Sequence, residues 1–69
     1  MENVTQPATD VKVKLVGEDG NAFNILGKVS RALKQAGYSD DFIREYQNQA
    51  MSGDYDNLLM VTMSFVEVE

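Results

Sequence analysis

From Val11 the chain alternates, with Val11, Val13 and Leu15 on one side and Lys12 and Lys14 on the other. That two-residue period predicts a half-buried strand. Gly17 to Gly20 follow with turn chemistry. Ahead of Val11, Met1 to Asp10 has little apolar content, holds the only proline and shows no period. Residues 1–10 are therefore expected to form a flexible tail, and residues 11–69 a single small domain.

The period then changes to that of a helix. At about 100° per residue, Ala22, Ile25, Leu26, Val29, Ala32, Leu33 and Ala36 fall in one arc, opposite Asn24, Lys28, Arg31 and Gln35. A first helix is predicted over Ala22 to Ala36, capped by Asn21 or Asp19 and ended by Gly37 in the left-handed conformation. Ser39 is the expected cap of a second helix. Asp40 and Asp41 sit in its first turn, where the helix dipole favours negative charge, and Tyr38 is placed to pack on Ile43 as a hydrophobic staple. Phe42, Ile43, Tyr46 and Ala50 share its inner face, and Gly53 is expected to close it.

Asp54 is suited to cap a third helix, in which Tyr55, Leu58, Leu59, Thr62, Met63 and Val66 fall together. Leu59 to Phe65 also contains the β-branched and aromatic residues of a strand, so periodicity alone leaves both forms open there. The favoured reading is a helix to about Ser64, then a strand over Phe65 to Glu69. Val66 and Val68 would face the core, with Glu67 and Glu69 on the side of Lys12 and Lys14, for either strand direction. The predicted fold class is α+β, in the order β-α-α-α-β, with three helices on a small two-stranded sheet. The alternative is a three-helix bundle with an N-terminal strand. A two-stranded sheet is marginal alone, so the helices must cover one face, and an edge is open to pairing with another copy.

Composition narrows what such a fold could do. Among 69 residues there is no cysteine, histidine or tryptophan. Disulfides are excluded, a structural zinc site lacks its usual ligands, and the commonest general base is absent. No enzyme activity and no cofactor is expected. No apolar run is long enough to span a bilayer, and the first ten residues lack the pattern of a secretory signal, so a cytoplasmic protein is expected. Six basic against eleven acidic side chains oppose direct nucleic-acid binding, because affinity for a phosphate backbone comes from clustered lysine and arginine. The charge is uneven: Lys12, Lys14, Lys28, Arg31 and Lys34 lie in the first half, and only Arg44 in the second.

Three local patterns invite chemistry. Gly27-Lys28 has Ala22 where a phosphate-binding loop needs glycine and Val29 where it needs a hydroxyl, so that reading fails. Glu18 to Asn21 and Asp54 to Asn57 gather oxygen ligands. Counted from Asp54, a calcium loop would put Leu58, Leu59 and Phe65 at its fifth, sixth and twelfth places, so no metal is expected. Lys28 and Arg31 form a short basic stripe with no interleaved aromatic residue, as a solvated helix face does.

Gly27 is harder to explain, since glycine inside a helix costs up to about 1 kcal/mol relative to alanine. With Phe23 and Ser30 it projects on a flank outside the main apolar arc, a shape suited to close backbone approach. The same chain or a partner could fill it. Met60 falls off the arc of the third helix, and its exposure would mark an adaptable binding surface. Phe23, Gly27, Ser30 and Met60 are therefore the candidate partner contacts. The carboxylates Asp40, Asp41, Glu45, Asp54 and Asp56 are a candidate acidic surface.

The segments LVGEDGNAFNILG (Leu15 to Gly27), SGDYDNLL (Ser52 to Leu59) and VEVE (Val66 to Glu69) resemble a group of small bacterial and phage proteins without an established activity. The resemblance implies a compact cytoplasmic protein and carries over no functional residue. Ala36 to Val66 is also similar to ubiquitin-associated three-helix domains, with Ala36 and Tyr38 where their Met-Gly-Phe loop has methionine and phenylalanine. That likeness implies a binding module. The reading that results is a small non-enzymatic interaction or regulatory protein acting through protein–protein contacts, with a second copy of itself as one partner. The alternative is an acidic mimic of DNA that inhibits a nucleic-acid-binding protein.

Overall fold

The computed structural model describes residues 8–15 and 20–69. The expected tail through residue 7, the expected turn as far as residue 19 and the alternative cap Asp19 lie outside the described residues. The order is β1 (Lys12–Val13), α1 (Ala22–Gln35), α2 (Asp40–Ala50), α3 (Tyr55–Phe65) and β2 (Glu67–Val68). Three helices pack with a two-stranded parallel sheet, the predicted β-α-α-α-β arrangement. Leu59 to Phe65 is helical, and the strand direction is parallel.

Local rules place the helix starts. The Asn21 side chain accepts from the Phe23 N–H, Ser39 from Phe42 and Asp54 from Asn57, each satisfying a donor left over at a helix N-terminus. Gly37, at φ +96°, ends α1, and its neighbour Ala36 closes the last turn onto Ala32. Tyr38 stacks on Phe42, one residue before the expected Ile43, with ring centroids 4.9 Å apart.

The end of α2 differs from expectation. Gly53 has no positive φ, and the helix closes at Met51. Its last carbonyls, of Gln49 and Ala50, accept instead from the Asn57 side chain at 3.0 and 3.4 Å. A Cβ on Gly53 would lie 2.9 Å from the Asn57 Cβ, so glycine is there to admit this capping side chain rather than to turn the backbone.

Each helix runs antiparallel to the next. Phe65, at the end of α3, meets Phe42 and Tyr46 edge-on, and Asn57, at its start, reaches the end of α2. Ser30 of α1 accepts from Gln47 of α2 at 2.8 Å, while Lys34 reaches Asp40. Ile25, Leu26, Val29 and Leu33 of α1 join Ile43, Tyr46, Ala50, Leu58 and Phe65 in one core, closed below by Val13 and Val66. Inside it, the hydroxyls of Tyr46 and Thr62 share a 2.8 Å hydrogen bond.

Phe65 also corrects the inner face of α3. Placed in the helix rather than the strand, it centres the buried face on Leu58, Thr62 and Phe65, with Val61 packed beside them. Met63, assigned to the apolar arc from sequence, is rotated into solvent.

The sheet joins the two ends of the described chain. Lys12 stands opposite Glu67 and Val13 opposite Val68, and the Leu15 N–H donates to the Glu69 carbonyl at 2.8 Å. The basic and acidic positions are neighbours as expected, although no ion pair among the described residues links them. Ordered contacts also begin before Val11. The N–H groups of Ala8 and Thr9 donate to the carbonyls of Ser64 and Phe65, and the Thr9 hydroxyl donates to Phe65 at 2.7 Å. Thr9 is buried. Ala8 and Thr9 thus cap the C-terminus of α3, which has no glycine to end it.

Candidate functional site

The structure separates the sequence-predicted contacts into two places. Phe23 stands near the start of α1, 74% exposed, on the rim of an open groove of about 250 Å³. The groove is lined mainly by apolar side chains, among them Leu26, Met51, Tyr55 and Leu58, where the start of α1, the end of α2 and the start of α3 converge. Met51 and Tyr55 are exposed like Phe23. Sequence reasoning missed Met51, because it lies in the connection after α2, outside any periodic arc. The apolar arc of α3 predicts an interior position for Tyr55. Its ring lines the groove instead, and its hydroxyl donates to the Gly20 carbonyl at 2.6 Å.

Gly27 lies one turn beyond Phe23 on the same flank. Nothing comes within 4 Å of a Cβ built on it, so neither α3 nor β2 fills this flank. Ser30 is partly covered by Gln47 of α2. Met60 is exposed, as the adaptable-surface reading requires, but it shares its outward stripe of α3 with Asp56 and Met63 and does not line the groove. The four candidates therefore form one surface through Phe23 and Gly27, with Ser30 at its edge and Met60 apart.

The five carboxylates divide between the first half of α2 and the start of α3. Asp40 is 3.0 Å from Lys34, and Asp41 is 3.5 Å from Arg44. Glu45 accepts from the Gln49 amide, and Asp54 is the cap of α3. Asp40, Asp41 and Glu45 lie toward the start of α2, whereas Asp54 and Asp56 lie at the start of α3. Because the helices are antiparallel, Asp40 and Asp41 sit about 15 Å along the axis from the start of α3 at 1.5 Å per residue, with Glu45 midway between.

Chemistry is sparse. Among the described residues no group of three or more acidic side chains could hold a metal ion. Burial pushes the Tyr46 phenol above its ordinary pKa, with the Thr62 hydrogen bond pulling the other way. Both side chains of that pair are fully buried in the core. No described helix is long and apolar enough to cross a membrane. Among known proteins, no family model, no curated protein and no solved structure matches the chain.

Proposed function

We propose that the chain is a small non-enzymatic interaction protein that works through protein–protein contacts, and that the Phe23–Gly27 flank with its groove receives a second copy of the same chain. The observation that carries this reading is the coincidence of an exposed phenylalanine, an exposed methionine and a mid-helix glycine with open space at its Cβ. Large apolar side chains in solvent forgo burial free energy of about 25 cal/mol per Å². Gly27 adds a helix-propensity cost with no packing reason inside the fold. Both costs are recovered if another backbone approaches there.

The scale suits self-association. A standard interface buries about 800 Å² per partner, and the whole chain exposes 4619 Å². About a sixth of the surface would suffice, and a core this small gains much from the added burial. Against the alternative of an acidic DNA mimic stands the engagement of four of its five carboxylates with partners inside the fold.

Light scattering coupled to size-exclusion chromatography, run over a concentration series, tests the proposal. A mass rising toward the dimer, and falling back when Phe23 and Met51 are replaced by serine, is the expected result. A monomer at every concentration refutes it.

A further inference from the structure

A second surface stands apart from the apolar groove. Between β1 and the C-terminal half of α1 runs an open groove of about 240 Å³, lined by Lys12, Lys14, Lys28, Arg31 and Gln35 and by no acidic residue. In a chain with six cationic side chains against eleven anionic ones, four of the six converge here. The other two, Lys34 and Arg44, are paired with Asp40 and Asp41. Lys12, Lys14 and Arg31 have no ion pair with any described residue.

The same groove borders an open sheet edge. The ladder to β2 uses peptide groups of Val11, Val13 and Leu15. Strand alternation turns those of Lys12 and Lys14 toward the other edge, which has no partner strand among the described residues. Lys12 and Lys14 project from one face about 7 Å apart, the two-residue repeat of a strand. A strand added at this edge would run between them and the cations of α1.

We propose that this groove binds an extended acidic peptide segment of a partner protein, added as a third strand beside β1 with carboxylates at alternate positions. The fold already contains this pairing once: on its other edge, β1 holds a strand of its own chain in which Glu67 and Glu69 alternate with valine, with Lys12 opposite Glu67. A nucleic acid would satisfy the cations but not the peptide groups of the edge. Main-chain bonds give such strand addition its affinity and the alternating side chains its specificity.

The test uses the intact protein and a capped hexapeptide of alternating threonine and glutamate at low salt, followed by NMR shifts of the backbone amides. The amides of Lys12 and Lys14 and the Arg31 side chain are expected to shift. A peptide of identical charge, N-methylated at alternate residues, should bind at least about tenfold more weakly, a change of about 1.4 kcal/mol. The lysine counterpart should not bind. Lys12→Gln with Lys14→Gln should weaken the glutamate peptide about tenfold, and the peptide comparison stands even if that variant misfolds. Equal binding of the N-methylated peptide, shifts confined to other surfaces, no binding, or tighter binding of single-stranded oligothymidylate at the same amides would each overturn the proposal. The oligomeric state does not enter this test, so its outcome is separable from that of self-association.

Discussion

Gly27→Ala sets the stability of the fold against the proposed use of its surface. Glycine in a helix interior is less favourable than alanine by about 0.8–1.0 kcal/mol, part of it from the freer unfolded chain. Nothing within 4 Å of the new methyl opposes that gain. In a domain of this size about 1 kcal/mol corresponds to a rise in Tm of roughly 4–8 °C. Thermal melting by circular dichroism at low concentration, below self-association, should show it. Gly53→Ala is the internal control, since its methyl would lie 2.9 Å from the Asn57 Cβ. It should destabilise by about 1–3 kcal/mol, as overpacking does. At high concentration the Gly27 variant should reverse its advantage: a Tm that climbs with protein concentration in the parent chain should stay flat in the variant, because the methyl blocks close approach. A Gly27→Ala protein less stable than its parent at low concentration would refute the claim that this flank is open within the fold.

Three further outcomes follow from side-chain hydrogen bonds that tie distant parts of the fold together. Thr9→Val removes the hydroxyl that donates to Phe65 and accepts from the Val11 N–H, and urea denaturation should register a loss of about 1–3 kcal/mol. Burial raises the Tyr46 pKa above its unfolded value. Its stabilising contribution is therefore complete below about pH 10 and is lost as pH rises through the folded value. Tyr46→Phe should show a smaller alkaline loss of stability than the parent and, at neutral pH, a stability lower by about 1–3 kcal/mol, because the Thr62 hydroxyl loses its partner. Asn57→Ala removes the side chain over the Gln49 and Ala50 carbonyls, and a cost of about 1 kcal/mol should appear in the same denaturation assay.

Much of this architecture was legible because its signals are local. Asn21, Ser39 and Asp54 cap their helices through side chains that reach only two or three residues along the chain. Gly37 ends α1 through its own backbone angle. What sequence could not show depends on long-range contacts. Thr9 looked like tail because its partner is the carbonyl of Phe65. Met63 looked buried because the face of α3 is set by where Phe65 meets Phe42 and Tyr46. The groove combines Phe23, Met51 and Tyr55 from three parts of the chain, and the basic groove combines β1 with the far half of α1. In each case the residue types were visible, while their juxtaposition is a product of the helix crossings.

The clasp between the two ends has a kinetic consequence. Tyr46 and Thr62 are 16 residues apart, so the α2–α3 hairpin closes a short loop, whereas Thr9 and Phe65 are separated by 56. The longer loop carries the greater closure entropy. The helical hairpin is thus able to assemble first and offer the end of α3 as a template, with the sheet zipping last and opening first. Thr9 and β1 are held by the same terminal stretch around β2, so they should come away in one cooperative step, like a latch that frees both ends of the chain together.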